Sequence, residues 1–212
     1  MSSLDDRLMS SNLFVKEEKE RLRLRVWRTM FESGVSRPPY PCYGRIPNFS
    51  GAKEAAERVR SVPEYVKANV VLVSPDSPQR PVREAVLKDE KTLVMATPRL
   101  RNGYLVIEPL TVTDVKGASS IWGAYKIGRL IKDLCAVDFV VEGCVAVDLK
   151  GNRLGKGGGF GDREIAAARR LNKEVKVAVT CHSIQVLSNV PRSSWDQTVQ
   201  YIATEAALHV CG

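Results

Sequence analysis

A glycine-rich segment between Gly151 and Arg163 carries the clearest chemical signal in the sequence. Five of the seven residues from Gly155 to Gly161 are glycine, and the charged residues around them are Arg153, Lys156, Asp162 and Arg163. Glycine lets backbone N–H groups approach an anion without a Cβ in the way, and a helix that begins at Arg163 aims its positive end at the same point. The segment therefore predicts a phosphate-binding loop.

Two familiar phosphate-binding motifs do not fit this spacing. Three residues separate Gly151 from the Gly155-Lys156 pair, where a Walker A loop has four, and Gly157 stands where that loop has Ser or Thr. The glycines also miss the spacing G-x-G-x-x-G, because its last position falls on Phe160 or Asp162. Neither a P-loop nor a Rossmann dinucleotide fingerprint is present.

The same segment resembles the signature of a known family. Residues 151–163 read G-N-R-L-G-K-G-G-G-F-G-D-R, which is similar to the run G-N-R-L-G-x-G-x-G-Y-Y-D-R of the 5-formyltetrahydrofolate cyclo-ligase, or methenyltetrahydrofolate synthetase, family. Lys19, Leu22 and Arg23 reproduce an N-terminal K-x-x-L-R motif of that family. Its C-terminal pattern is matched at Gln185, Pro191, Asp196, Val199, Thr204 and Glu205. The resemblance spans residues 19–205, and segments 45–56, 75–80 and 91–101 resemble a divergent animal branch of the family.

The resemblance implies ATP-dependent closure of 5-formyltetrahydrofolate to 5,10-methenyltetrahydrofolate. The formyl oxygen attacks the γ-phosphate of ATP and a neighbouring folate nitrogen displaces the phosphate, so the enzyme chiefly positions groups and stabilises charge. The implied catalytic residues are Lys156 and Arg153, which would neutralise the transferred phosphoryl group. The implied ATP-binding residues are Lys19, Arg23, Gly155, Gly157, Gly158, Gly159, Phe160, Gly161 and Asp162. Asp162 would also hold Mg²⁺, which accepts one carboxylate plus phosphate oxygens.

The resemblance places substrate-binding residues at Asp76 and Phe160, and Trp122, in the connection before the predicted helix 127–134, is a candidate ring for pterin stacking. The chain departs from the family pattern on this side of the site. Phe160-Gly161 replaces a pair of tyrosines, Asp76 stands in place of a glutamate that holds the pterin ring, and Glu142 replaces a proline. Glu142 is interpreted either as a new site group or as a surface residue. The substrate therefore stays open between 5-formyltetrahydrofolate and a related formyl pterin.

Plainer interpretations exist for the same residues. Lys19 and Arg23 lie one helical turn apart in a segment that is basic throughout, which alone is typical of a solvated face. Asp162 is placed to be the N-cap of a helix over 163–171, a role worth about 1 kcal/mol that needs no metal. A lone Trp is more often a packing residue than a ligand contact.

The composition limits the class of protein. The chain has 212 residues, 44% of them hydrophobic, which suits one α/β domain that is stable without disulfides or metal. Its five cysteines are far apart and it has two histidines, so reduced thiols are expected rather than a zinc site. No apolar run is long enough to cross a membrane and no secretory signal starts the chain, which predicts a cytoplasmic protein without a membrane partner.

The positive charge of the chain supports a second hypothesis. Lys and Arg number 32 against 24 Asp and Glu, which gives a net charge of +8. Bases cluster in 16–28 and 163–173, so the alternative function is a non-catalytic nucleotide- or RNA-binding protein. Catalysis is favoured, because the same charge suits ATP and a polyglutamylated folate as partners and the signature of an RNA-recognition domain is absent.

The hydrophobic pattern predicts one domain over residues 1–212, with 1–12 mobile. Alternating strands and helices favour an α/β fold with three layers, α/β/α, around a mainly parallel sheet, and the family resemblance agrees. Strands are predicted at 70–73, 92–96, 104–107, 137–147, 175–179 and 199–203. Helices are predicted at 16–33, from 50 onward, and at 81–88, 127–134 and 163–171, with a polar connection over 111–124.

Overall fold

The computed structural model describes the backbone of residues 2–212 and the side chains from residue 13 onward. Residue 1 and the side chains of residues 2–12 lie outside that description, and with them the predicted mobile segment 1–12. The helices are α1 (Ser2–Glu32), α2 (Ala52–Arg60), α3 (Pro63–Lys67), α4 (Arg80–Lys88), α5 (Val115–Ala118), α6 (Ile121–Ile127) and α7 (Phe160–Leu171). The strands are β1 (Ser36–Arg37), β2 (Asn48–Phe49), β3 (Val70–Val73), β4 (Thr92–Ala96), β5 (Tyr104–Ile107), β6 (Arg129–Ile131), β7 (Phe139–Gly143), β8 (Ala146–Asp148), β9 (Arg153–Leu154), β10 (Lys176–Thr180), β11 (Val186–Leu187), β12 (Tyr201–Ala203) and β13 (Leu208–Val210).

The central sheet is parallel in the middle and antiparallel at its edges. Among the described residues it contains eight strands in the order β13-β12-β10-β7-β3-β4-β5-β6. Strands β12, β10, β7, β3 and β4 pair in parallel, whereas β13, β5 and β6 pair antiparallel to their neighbours. The predicted α/β fold is confirmed, and its mainly parallel sheet is a mixed sheet with a parallel centre.

Helices cover both faces of this sheet. In β3, Val71 and Val73 pack into a core with residues of α2 to α6, while Leu72 points to the other face and packs with Ile165 and Ala168 of α7. Strands buried on both faces are apolar throughout rather than alternating, which is why the runs at 70–73 and 92–96 were recognisable in the sequence. The layers are therefore α2–α6, the sheet, and α7.

Helix α1 lies outside these layers on a third core of its own. Leu22, Val26, Trp27 and Met30 recur at helical spacing and pack against residues of β2, β8 and β9. The indole N–H of Trp27 donates to the carbonyl of Arg45 at 3.0 Å. This apolar stripe fixes the rotation of α1 and so determines which of its basic residues face the glycine-rich segment.

Several predicted elements differ from the structure. The helix predicted over 127–134 is wrong, since α6 ends at Ile127 and β6 follows; the connection predicted over 111–124 contains α5 and most of α6. Gly128 is the physical reason: a Cβ there would lie 2.6 Å from the Ala124 carbonyl oxygen, and the chain leaves the helix at this glycine to pair with β5. The apolar run 137–147 is divided between β7 and β8.

Candidate functional site

The glycine loop, residues 155–161, connects β9 to α7. Gly157 and Gly159 have φ values of +105° and +65°, a region that side-chain-bearing residues rarely occupy, so the path of the loop depends on glycine. Helix α7 begins at Phe160, three residues before its predicted start, with Gly159 as its N-cap. The alternative role of Asp162 as an N-cap is therefore wrong, because Asp162 lies in the first turn of α7.

Two arginines hold the carbonyl groups of the glycine loop. Nε of Arg23 donates to the Gly155 carbonyl at 2.8 Å. Arg163 donates to the carbonyls of Gly158 at 3.0 Å and Gly159 at 3.3 Å, and its guanidinium lies 4.4 Å from the centroid of the Phe160 ring. These contacts fix the loop between α1 and α7 and place two positive charges beside it.

Two cavities share the glycine loop as a wall. The inner cavity, about 360 Å³, is lined by Asp76, Lys156, Phe160, Gly161 and the two glutamates described below. The outer groove, about 1490 Å³, is lined by Lys19, Arg23, Gly157 and Arg163. Both are lined by Arg153, Gly155, Gly158, Gly159 and Asp162. The structure thus brings together the site residues predicted from the sequence, with the exception of Trp122.

Trp122 lies in α6, and its side chain is 82% exposed. It lines neither the inner cavity nor the outer groove. Within the described part of the chain, no hydrogen bond, ion pair or aromatic contact joins it to the other site residues, and its role in pterin stacking stays a prediction.

Lys156 and Asp76 form an ion pair across the inner cavity. Nζ of Lys156 lies 2.6 Å from Oδ1 of Asp76, and the two side chains are 38% and 24% exposed. The other carboxylate oxygen of Asp76 accepts a hydrogen bond from the Ser74 hydroxyl at 3.1 Å. A residue expected to bind phosphate and one expected to bind substrate therefore contact each other directly.

Arg83 holds the segment that carries Asp76, and sequence reasoning missed it. Its buried guanidinium donates to the carbonyls of Ser74 and Asp76, and to that of Ser119 at 2.8 Å. Burial lowers the pKa of Arg83 to about 9. The available signal was its position in α4, where it shares the apolar stripe with Val82 and Val86.

Lys19 and Arg23 of α1 both face the outer groove, as their spacing of one helical turn predicts. Nζ of Lys19 is buried, donates to the Ser193 hydroxyl at 2.8 Å and forms an ion pair with Asp196. The solvated basic face consists instead of the neighbouring exposed residues Arg21, Arg25 and Arg28.

Arg153 is a buried cation with hydrogen-bonding capacity to spare. Its Nη2 lies 2.7 Å from Oδ1 of Asp162, which also accepts a hydrogen bond from the backbone N–H of Gln197 at 3.0 Å. Nη2 is held by this ion pair with Asp162, whereas Nε of Arg153 has no hydrogen-bond partner among the described residues. Buried donors are normally satisfied, so Nε is the donor of Arg153 that is left for an anion.

Two buried glutamates complete the inner cavity. Glu142 at the end of β7 and Glu164 in α7 are only 3% and 4% exposed, and their carboxyl groups lie near enough for each to shift the pKa of the other. Burial raises the pKa of Glu142 to about 7 and, with the neighbouring Glu142 charge, raises that of Glu164 well above its ordinary value. The sequence left the role of Glu142 open and gave no indication of Glu164, whose only signal was its place beside the buried Ile165.

The residues of this site fit a bound triphosphate. Glycine N–H groups, the N-terminus of α7 and the free Nε of Arg153 are all suited to an anion. Within the described part of the chain, no group of three or more His, Cys, Asp or Glu side chains is arranged to hold a metal. Both contacts of Asp162 use Oδ1, and a single carboxylate suits Mg²⁺, which takes its other ligands from phosphate and water.

Comparison with protein families gives one match that covers most of the chain. The family described as "5-formyltetrahydrofolate cyclo-ligase family" matches residues 15–205. No helix within the described residues is both long and apolar enough to span a membrane.

Among curated proteins, the chain is similar to methenyltetrahydrofolate synthase domain-containing proteins of animals. It is 34% identical over 206 residues to that of Mus musculus, covering 92% of this chain and 55% of the relative. It is 36% identical over 184 residues to that of Danio rerio, covering 81% of this chain and 47% of the relative. The chain thus spans about half the length of the curated relatives it matches.

Two solved structures share the fold. The NMR structure of Aquifex aeolicus 5,10-methenyltetrahydrofolate synthetase has a TM-score of 0.59 at 23% identity, covering 91% of this chain and 92% of that one. The synthetase from Mycoplasma pneumoniae has a TM-score of 0.53 at 12% identity, covering 88% of this chain and 98% of that one.

Proposed function

This chain belongs to the 5-formyltetrahydrofolate cyclo-ligase family, and from that premise we propose that it closes 5-formyltetrahydrofolate, or a related formyl pterin, to the 5,10-methenyl compound with ATP and Mg²⁺. The reaction transfers the γ-phosphoryl group of ATP to the formyl oxygen and releases ADP. The neighbouring N–H nitrogen of the substrate then attacks the formyl carbon, the C–O bond breaks, phosphate leaves with the oxygen, and the proton of the attacking nitrogen passes to the released phosphate or to solvent. The alternative of a non-catalytic nucleotide- or RNA-binding protein remains a separate prediction.

The observation that carries the proposal is the wall shared by the two cavities. ATP and the pterin must approach each other until the formyl oxygen meets the γ-phosphate, because the nucleophiles belong to the substrate. Arg153 and Asp162 line both the inner cavity and the outer groove, with the glycine loop between them. Groups bound on the two sides would therefore meet at these residues.

The cationic side of the wall is assigned to ATP. Lys19 and Arg23 line the outer groove and would bind the phosphates, while the backbone of Gly157 to Gly161 would cradle them. Arg153 offers Nε, a donor without a partner among the described residues, and Lys156 extends from the glycine loop. Because charge shifts on the phosphoryl group during transfer, donors held in place before the reaction lower its barrier.

Asp162 is the residue assigned to Mg²⁺. Bound there with the phosphates, the ion would supply further positive charge to the phosphoryl group. Arg153 holds Asp162 in position through the contact at 2.7 Å. Asp76 and Phe160 line the opposite cavity and are assigned to the formyl pterin.

To test the proposal, purified protein is mixed with 5-formyltetrahydrofolate, ATP and Mg²⁺, and formation of the methenyl product is monitored by its absorbance. Lys156→Ala removes one of the charges at the reacting group, and we expect turnover to fall at least about a hundredfold. The matched control is Lys88→Ala at the end of α4, an exposed lysine outside both cavities, for which we expect a change within about twofold. Wild-type protein that binds ATP but forms no product would refute the proposed reaction and favour the nucleotide-binding alternative.

A further inference from the structure

Two departures from the family signature meet at one point of the inner cavity. A Cβ built on Gly161 would lie 3.0 Å from Oε2 of Glu142 and 3.2 Å from both terminal nitrogens of Arg153. Glu142 and Arg153 therefore crowd the volume that a side chain at position 161 would enter. The lack of a side chain at Gly161 and the carboxylate at Glu142 are two parts of one change in the cavity.

Glu142 and Glu164 each have one carboxyl oxygen that accepts no hydrogen bond from the described residues. The two oxygens are Oε1 of Glu142 and Oε2 of Glu164, and both are buried. Both side chains line the inner cavity, and each is more than nine-tenths buried. Buried carboxylate oxygens are normally satisfied, so a pair of them beside a cavity indicates that a bound group completes their hydrogen bonding.

The nearby cation does not fill this role. Arg153 makes its close contact with Asp162, at 2.7 Å, and forms no ion pair with either glutamate among the described contacts. A phosphate would be repelled by two carboxyl groups, whereas a group with N–H donors on adjacent atoms would satisfy both free oxygens. An amidine edge, N–H beside C–NH2, presents two donors in that arrangement.

We propose that Glu142 and Glu164 form a specificity-determining site for the amidine edge of a 2-amino-4-oxopyrimidine ring, one free oxygen from each side chain accepting one N–H. The identification of this ring as part of a pterin rests on the proposed function. A guanine base carries the same edge. The inner cavity thus selects its ligand by hydrogen-bond donors, through two residues that the family signature does not contain.

The test is direct binding without ATP, using the intrinsic fluorescence of pterin and of lumazine. Lumazine is the same ring system with an oxo group in place of the 2-amino group, so it lacks the exocyclic donor. We expect the wild-type protein to bind pterin at least about tenfold more tightly than lumazine, since a buried acceptor left without its donor costs that much. Guanosine, added as a competitor, distinguishes a purine from a pterin as the source of the edge.

The variants Glu142→Gln and Glu164→Gln keep the shape of each side chain and replace one of its two oxygen acceptors with an NH2 group, which donates. Either should reduce pterin affinity at least about tenfold and leave lumazine binding within about twofold. Glu174→Gln, an exposed glutamate before β10, is the matched control and should change neither. Circular dichroism confirms that each variant is folded, and the comparison of pterin with lumazine in the wild-type protein stands without any variant.

Equal affinity for pterin and lumazine, or no binding of either, would overturn the inference. Guanosine that outcompetes pterin and loses affinity in both variants would support the site and assign its edge to a purine. Because the experiment involves no turnover, its failure is distinguishable from failure of the proposed reaction. Methenyl product formed by a protein that does not discriminate pterin from lumazine would leave the function standing and remove this site.

Discussion

The outer groove and the inner cavity share a wall but differ in the charged groups that line them. Lys19, Arg23 and Arg163 line only the groove, next to the carboxylates of Glu20 and Asp196. The buried Glu142 and Glu164 line only the cavity, together with Asp76, Lys156, Arg45 and Arg99. The buried glutamates, each with an unpartnered acceptor, are thus what distinguishes the cavity, and the proposed transfer assigns the groove to the nucleotide and the cavity to the pterin.

Replacing the cation that lines both regions should have the largest effect. Arg153→Ala leaves Asp162 and the buried glutamates without their nearest positive charge, and removing one partner of a buried ion pair costs about 3–5 kcal/mol. We expect the free energy of unfolding in urea to fall by that amount, and turnover to be lost as well.

Lys156→Ala is the contrasting variant for that measurement. Its ion pair with Asp76 is more than a third exposed on the lysine side, and pairs of this kind contribute about 0–1 kcal/mol. Stability should therefore change little although turnover falls. Equal losses of unfolding free energy in the two variants would show that the buried and the exposed cation do not differ as the structure indicates.

The two regions also differ in how far the sequence predicted them. The side assigned to the nucleotide follows from residues 153–163, which are contiguous, and from Lys19 and Arg23, which a single helical repeat relates. The side assigned to the pterin brings together residues from β7, α7 and the segment after β3, and no local pattern connects Glu142 with Glu164 or with Gly161. Its arrangement depends on strand order, which pairing across the sheet determines.

The same distinction holds for the fold. The strands at 70–73, 92–96 and 104–107 were predicted with their observed bounds, because each is an apolar run. The edge strand β6 has only three residues, two of them exposed, and it forms because Gly128 ends α6 next to β5. Its stability comes from a neighbour distant in sequence, so the segment 127–134 was predicted as helix.

An intermediate effect is expected in the pH dependence of stability. The pKa of Glu142 is raised to about 7 by burial, so the folded state holds its proton more tightly than the unfolded state does. The stability that this provides is fully present below about pH 4.5 and is lost as the pH rises through about 7, on the order of 1–3 kcal/mol. The charged groups that act on Glu142 are Arg153, Asp76, Glu164 and Asp162.

Glu142→Gln should reduce that slope, and the raised pKa of Glu164 leaves part of it in place. We expect the midpoint of urea unfolding of the wild-type protein to decrease between pH 5 and 8, and the variant to show a flatter profile, with Glu174→Gln behaving like the wild type. Carboxylates elsewhere act in the opposite direction, since hydrogen bonds from Ser183 help to lower the pKa of Glu205 below its ordinary value. A wild-type profile that rises across pH 5–8 would show that Glu142 is ionised in the folded protein throughout that range.

The smallest effect concerns the ion pair that joins the two regions. Asp76→Asn removes the carboxylate that holds Lys156 on the side of the inner cavity, and a partly exposed pair of this kind is worth about 0.2–1 kcal/mol. Lys156 is then free to interact with phosphate, so we expect affinity for a fluorescent ATP analogue to increase, by at most about fivefold, with a larger gain at low salt. Asp133→Asn, an exposed carboxylate outside both cavities, controls for the change in net charge. If ATP affinity instead fell in Asp76→Asn, the ion pair would be holding Lys156 ready for the nucleotide rather than competing with it, and the two regions would act together rather than in opposition.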